Sequence, residues 1–376
     1  ADPREEPGEP GGSAADAAAP GAAAAAGAQT TRERRGGGAM RLLVTGGAGF
    51  IGSEFVRATL RGELPGTAGA HVTVLDALTY SGNPQNLAPV AGHPRYRFVH
   101  GDTCDPDAVD AAVAGQDAIV HLAAESHVDR SIDTATPFVR TNVLGTQNML
   151  EAAQRHGVGR FVHVSTDEVY GSIAQGSWTE DAPLLPNGPY ASAKAGSDLL
   201  ALAWHRTRGL EVVVTRCTNN YGHYQFPEKV IPLFVTNLLD GRRVPLYGDG
   251  RHRRGWLHVS DHCRALDLVL RFGRPGEVYH VGGGKELSNE DLTSLLLEAC
   301  GASWEMVDHV PDRQGHDRRY ALDTTKIEER LGFVPRVRFE DGLEATVEWY
   351  RANRAWWEPL KAGLRKAPGP MLRSPR

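Results

Sequence analysis

Tyr190 and Lys194 stand four residues apart in a stretch patterned for a helix, a spacing that puts phenol and ammonium on one face. A neighbouring ammonium stabilises phenolate, so the expected consequence is a tyrosine with a lowered pKa that can work as a base. The pattern alone is common by chance and usually marks a solvated pair. A second group, STDEVYG at residues 165–171, follows directly on an apolar run at 161–165. Adjacent acidic residues after a strand are most often a solvated turn. Here the turn would face the space that Tyr190 faces. Two carboxyl groups in one site can divide the work if their surroundings separate their pKa values, one donating and one accepting. Asp167 and Glu168 are therefore candidates for an acid and a base, with Thr166 beside them.

Such a site needs something to oxidise against, and the chain offers a place for it. TGGAGFIG at 45–52 follows the first apolar run and opens the first helical one. Gly46, Gly49 and Gly52 permit a tight turn, close approach of a pyrophosphate and close packing of helix on sheet. The helix N-terminus adds free N–H groups and the positive end of its dipole. Asp76 ends the second apolar run, where a carboxylate suits the two ribose hydroxyls of NAD and repels the extra phosphate of NADP.

The elements that must carry these residues alternate. Strands are expected at 41–45, 71–75, 97–100, 117–122, 161–165 and 211–216, and helices at 53–60, 139–155 and 190–206. Repeated β-α order implies an α/β fold: a Rossmann doubly wound parallel sheet with both faces covered. After about residue 217 proline and glycine interrupt the order. That half is expected to form a smaller C-terminal substrate-binding lobe over the carboxyl ends of the strands. The expected organisation is a disordered extension at 1–39, built almost wholly of Ala, Gly, Pro, Glu and Arg, and a nucleotide-binding domain at 40–217. A substrate lobe at 218–355 follows, from which segments can return to the sheet, and then a tail at 356–376.

Bulk properties narrow the classes. The chain has 376 residues and a formal net charge of −5, with no strong field to attract nucleic acid or a membrane surface. No run of 18 apolar residues suggests a span. Cys104, Cys217, Cys263 and Cys300 are far apart, with no CxxC pair, which argues against zinc or a disulfide framework and for reduced thiols in a cytoplasmic enzyme.

Taken together, the glycine turn and Tyr190-x-x-x-Lys194 resemble the extended, sugar-nucleotide branch of the short-chain dehydrogenase/reductases. Ordered matches then make the likeness specific: DALTYSGN (76–83), HLAAESHVDRSI (121–132), TNVLGT (141–146), NNYGHYQFPEK (219–229) and DRQGHDRRY (312–320). Over roughly 41–352 the chain is similar to the dTDP-glucose 4,6-dehydratases. That resemblance implies a route through a 4-keto sugar. Tyr190 would take the C4 hydroxyl proton as hydride leaves for NAD, and Glu168 would take the C5 proton that the ketone acidifies. Asp167 would protonate the departing C6 hydroxyl, and hydride would return to C6, with no metal required. Thr166 would bond near the C4 oxygen, and Lys194 would hold ribose and tyrosinate.

The same resemblance assigns Gly46, Gly49, Phe50, Ile51, Gly52, Asp76, Leu78, Thr79, Asp102, Thr103, Leu122, Ala123, Ala124, Ser126, Thr141, Tyr190, Lys194 and Asn220 to the NAD site. It assigns Ser126, Thr166, Asn219, Lys229, Pro245, Leu246, Tyr247, Arg254, Asn289, Asp312 and His316 to the sugar nucleotide, with Arg254 as a diphosphate clamp. The chain departs from the family's habit at Gly255, where Arg-Asp-Trp is usual, at His223, where proline is common, and at Ala191. The missing carboxylate at 255 puts the orientation of Arg254 in question.

Three function classes compete. A sugar-nucleotide 4-epimerase or a decarboxylase on the same fold is the second, and it has no use for the Asp167–Glu168 pair. A non-catalytic NAD-sensing protein is the third, disfavoured by the intact Tyr190, Lys194, Asp167 and Glu168. Expected partners are dTDP-glucose, with UDP-glucose open, and a second copy of the chain, by resemblance and because two-fold dimers are commonest. Helices 139–155 and 190–206 are the candidate contacts; neither nucleic acid nor membrane is expected.

Overall fold

A computed structural model describes residues 38–366, which lie within one compact unit beginning at Gly38. The expected disordered extension falls outside the described residues except for Gly38 and Ala39, as does the tail from 367 on. β1 (Arg41–Thr45), β2 (His71–Asp76), β3 (Tyr96–His100), β4 (Ala118–His121), β5 (Arg160–Thr166) and β6 (Val212–Cys217) appear within two residues of the expected bounds. They pair in parallel in the order β6-β5-β4-β1-β2-β3. Their apolar runs are continuous rather than alternating because both faces are covered. Leu42, Val44, Val72 and Val120 pack on one side, Leu43, Leu75, Ile119 and Phe161 on the other. Strand order reverses between β1 and β4, and a ligand crevice is expected beyond the strand ends at such a switch point.

The second half is interleaved with the first. β7 (Asn219–Tyr221), β9 (Arg253–His258) and β11 (Lys285–Ser288) make a small sheet, and β8 (Val244–Tyr247) pairs with β12 (Val307–Val310). Between these, the helix Val259–Phe272 and β10 (Val278–Val281) return to the large sheet, where β10 extends it in parallel beside β6. Buried Cys263, Leu266 and Val269 belong to the same core as β1.

Two differences from expectation have physical causes. The helix expected at 139–155 starts earlier, at Thr136–Val139, then passes through a π-helical stretch, Arg140–Gly145, before Thr146–Arg155. There the Asn142 side chain is committed to Glu125, accepting its N–H at 2.9 Å and donating to its carbonyl at 3.0 Å. Single π turns of this kind often sit at functional sites. The expected tail is, in its first part, the helix Arg354–Lys366. Trp357 is fully buried in the second core with Tyr350 and Phe339, and Lys361 reaches Asp240 at 3.0 Å. Among the described residues no helix is long and apolar enough to cross a membrane.

Candidate active site

One cavity opens beyond the carboxyl ends of β1, β4, β5 and β6, walled by the glycine turn, the ends of β2 and β4, the turn after β5 and the first turn of Pro189–Arg208. The glycine turn has the shape a dinucleotide needs. Gly46 has φ +67°, and a Cβ there would meet the Ala123 backbone nitrogen at 2.7 Å; a Cβ on Gly52 would meet the Gly46 carbonyl oxygen at 2.3 Å. Asp76 ends β2 with its carboxylate accepting the Ala48 N–H at 2.9 Å and the Leu78 N–H at 2.8 Å. Burial pushes that carboxyl up and the two N–H donors oppose it. Leu78 adopts φ +51° to make its bond, a conformation a leucine rarely takes, and so the residue two past the acid is spent on orienting it.

At the other end lie the proton-handling groups. Thr166, Asp167, Glu168, Tyr190 and Lys194 all line the cavity. Asp167 is 2% exposed. Its Oδ1 accepts the Thr166 hydroxyl at 3.2 Å, and its Oδ2 is buried without a hydrogen-bond partner. Burial and the Glu168 charge push the Asp167 carboxyl up to about 8 against the pull of Arg254, so it carries a proton at neutral pH. Glu168 is also raised by burial, but Arg254 and Lys229 both pull it back. Burial raises both neighbours and Arg254 opposes it at both; the added pull of Lys229 at Glu168 is the difference that can divide acid and base roles.

Tyr190 overturns the expectation drawn from its spacing to Lys194. Its phenol is held well above the ordinary value, first by burial and then by Glu168, Cys217 and Asp167, with the Thr166 hydroxyl opposing. Lys194 does not offset this, because its ammonium donates to the Val164 carbonyl at 2.7 Å and is itself lowered by burial. A shared helix face brings the two groups into one cavity; burial decides the field.

Of the other residues assigned from the resemblance, Phe50, Ile51, Thr79, Asp102, Thr103, Leu122, Ala123, Ala124, Ser126, Thr141, Asn219, Asn220 and Lys229 line this cavity with the glycines and Asp76. Lys229 donates to the Ser126 carbonyl at 2.7 Å. Leu78, Pro245, Leu246, Tyr247, Arg254, Asn289, Asp312 and His316 are not on its wall. Leu246 is a core residue at 2% exposure. Arg254 is buried over the Tyr320 ring and donates to the Asp317 carbonyl at 2.8 Å. Those backbone and ring contacts hold the guanidinium although residue 255 is glycine. Trp256, two residues on along β9 and therefore on the same face, does reach the cavity.

Several lining residues escaped the sequence reading, among them Tyr80, Glu125, Cys217 and Glu228. Glu228 is bonded to Arg130 at 3.0 Å, whose guanidinium lies 4.0 Å over the Tyr80 ring. All of these but Cys217 lie inside the matched stretches 76–83, 121–132 and 219–229, next to residues that were singled out. Neighbourhood was the available signal.

Residues 43–346 match the model of the family described as GDP-mannose 4,6 dehydratase. The chain belongs to that family. Within reach of it, the chain is 71% identical over 323 residues to a dTDP-glucose 4,6-dehydratase of Streptomyces niveus, covering 86% of this chain and 96% of that one. It is 62% identical to a dTDP-glucose 4,6-dehydratase of Streptomyces antibioticus, with the same coverage of both. Among solved structures, a dTDP-glucose 4,6-dehydratase of Streptomyces venezuelae with NAD and TYD bound superposes with a TM-score of 0.85 at 63% identity, covering 85% of this chain and 100% of that one. A UDP-glucose 4-epimerase of Thermotoga maritima, with UDP-glucose, superposes with a TM-score of 0.77 at 32% identity over 84% of this chain and 100% of that one. The family fold therefore hosts both dehydration and epimerisation.

Proposed function

We infer that this chain is an NAD-dependent hydro-lyase that converts dTDP-glucose to dTDP-4-keto-6-deoxyglucose, a step of deoxysugar biosynthesis. The observation that carries the reading is the pair of buried carboxyls after β5 on one cavity wall with Tyr190 and Lys194: burial raises both, Asp167 to about 8, while Arg254 and Lys229 oppose the rise at Glu168. An epimerase has no task for two such carboxyls. The high identity to dTDP-glucose 4,6-dehydratases points the same way.

The glycine cradle and the N–H-braced Asp76 fit a dinucleotide with free ribose hydroxyls, so NAD is the cofactor of this reading. Bound NAD supplies a hydride acceptor for C4 and a hydride donor for C6. The chain's own residues move the protons. Tyr190 takes the C4 hydroxyl proton as phenolate, the form that the positive charge of bound NAD would favour against the burial and the neighbouring carboxyls that hold the phenol up. Glu168 takes the C5 proton, made acidic by the C4 ketone. Asp167 gives its proton to the C6 hydroxyl, which leaves as water. Arg254, Asn289, Asp312 and His316, outside the cavity wall, are assigned to the nucleotide end of the substrate.

Incubation with dTDP-glucose should yield the alkali-induced ultraviolet absorbance of a 4-keto product, and a parallel incubation with UDP-glucose reads whether uracil is accepted; epimerised hexose with no water lost would overturn the reading. Glu168→Gln should keep C4 oxidation and lose exchange of the C5 hydrogen with solvent. Normal exchange in that variant would strip Glu168 of its role.

The chain acts as a homodimer in the cytoplasm on this reading. Val139, Leu144 and Leu199 are about half exposed on the 136–155 and Pro189–Arg208 segments, an apolar face suited to a second copy. The four cysteines are free thiols, as a reducing compartment keeps them. Light scattering that finds monomer alone at assay concentration would remove the dimer.

A further inference from the structure

Outside the cavity, His252, Asp312 and His316 form a cluster with no role in the proton chemistry. The His252 and His316 rings stack nearly parallel, 14° apart with centroids at 3.7 Å. Asp312 lies against both: its Oδ2 is 3.2 Å from His252 Nε2 and its Oδ1 2.6 Å from His316 Nδ1. One potential ligand atom from each side chain lies within 4.8 Å of the others. Ligand atoms around a tetrahedral zinc stand about 3.3 Å apart, given metal–ligand lengths near 2 Å, so the two rings must turn out of their stack to aim their in-plane lone pairs at one ion. Three guanidiniums stand near the cluster, each with a contact of its own: Arg318 with Asp249 at 2.7 Å, Arg313 with Asp129 at 3.4 Å and Arg254 with the Asp317 carbonyl at 2.8 Å.

We propose that His252, Asp312 and His316 hold one zinc ion, and that the metal withdraws Asp312 and His316 from the sugar nucleotide. The second half rests on the assignment of those two residues under the proposed function. Two imidazoles and one carboxylate with a fourth position for water is a donor set that zinc takes. The site is exchangeable rather than structural. His252 Nδ1 is buried with no acceptor, so the outer hydrogen bond that strengthens a metal-bound histidine is missing. Asp312, the most exposed of the three, gives the ion its way in.

The full chain titrated with Co²⁺ should develop the visible absorption of a four-coordinate ion at one equivalent, and Zn²⁺ should displace it. His252→Gln should weaken Co²⁺ binding at least about tenfold, with far-UV circular dichroism and the metal-free rate unchanged. Absence of the band, or a band indifferent to that substitution, overturns the site. Should the variant fold poorly, X-ray absorption at the zinc edge of the unsubstituted chain decides: two imidazole nitrogens with oxygen support the site, and a sulfur shell overturns it. Zn²⁺ should also raise KM for dTDP-glucose with kcat unchanged, and His252→Gln should resist. Cobalt binding that is lost in the variant, with no zinc effect on KM, would keep the metal site and overturn Asp312 and His316 as substrate contacts.

Discussion

Asp167 and Asp198 are both almost wholly buried and share their supporting elements, yet their carboxyls move in opposite directions. Asp167 follows β5 and is pushed up to about 8. Asp198 lies on Pro189–Arg208, two turns beyond Tyr190, and faces the rear of the same strand. Burial pushes it up too, but His163 and Arg216 win and hold it below the ordinary value. Arg216 Nε donates to its Oδ2 at 2.9 Å, and His163 Nε2 lies 3.3 Å from its Oδ1. The chain of bonds continues from Arg216 to the Tyr170 hydroxyl, from Tyr170 to His280 Nε2 at 2.6 Å, and from His280 to the Asp323 carbonyl at 2.8 Å. Burial alone therefore does not make a carboxyl reactive. What separates the two is whether the protein has already supplied the charge partner.

The comparison predicts a division between activity and stability. Asp167→Asn removes the acid but neither a bonded cation nor a packed ring, so the rate of 4-keto product formation should fall by about 10²–10⁴-fold. Its midpoint of denaturant unfolding should stay put or rise, since the lost Oδ2 had no partner. A large drop in stability with modest loss of rate would break the distinction.

Arg216→Met tests the other side. It leaves Asp198 a buried charge without its guanidinium, a change that costs about 3–5 kcal/mol in comparable buried pairs. Urea unfolding should show that loss, and the double variant with Asp198→Asn should recover part of it, because the two effects are coupled. Additive losses would mean that the pair is not a unit.

How much of this contrast was legible in the sequence follows from its physics. The glycine turn, Asp76 at the end of β2 and the two carboxyls after β5 were all placed correctly, because each depends on a short segment and its position in the β-α series. The field at Tyr190 was not. Four-residue spacing predicts which groups share a face, whereas the phenol's pKa depends on burial by elements far apart in sequence and on a Val164 carbonyl that engages Lys194. Asp198 attracted no notice for the same reason: its partners come from β5 and β6. The π turn at Arg140–Gly145 likewise rests on a tertiary contact, Asn142 with Glu125, and although segments of the second half were expected to be able to return to the sheet, which one does, β10, is fixed by tertiary pairing, Val278 beside Val214. Trp356 and Trp357 were a local signal that the tail reading passed over.

The finest test uses pH. A carboxyl whose folded pKa is raised binds a proton more tightly in the folded state, so its stabilising contribution is whole below the unfolded value near 4 and is lost as pH rises toward the folded value. Asp167 therefore makes stability decline between about 4 and about 8. Asp198, lowered, does the reverse: its contribution is present above the unfolded value and is lost as pH falls through the folded one. One proton accounts for at most about 1.4 kcal/mol per pH unit, and other groups titrate alongside, so the absolute curve decides nothing. The difference curves do. Subtracting the Asp167→Asn profile from that of the unsubstituted chain should leave a slope confined to the interval from pH 4 to 8, falling with pH. The rate of 4-keto product formation should fall over the upper end of that interval, as the acid loses its proton. An Asp198→Asn subtraction should be flat there and rise with pH only on the acid side. If both difference curves slope the same way, the two aspartates share one environment, and the assignment of the acid to Asp167 loses its physical basis.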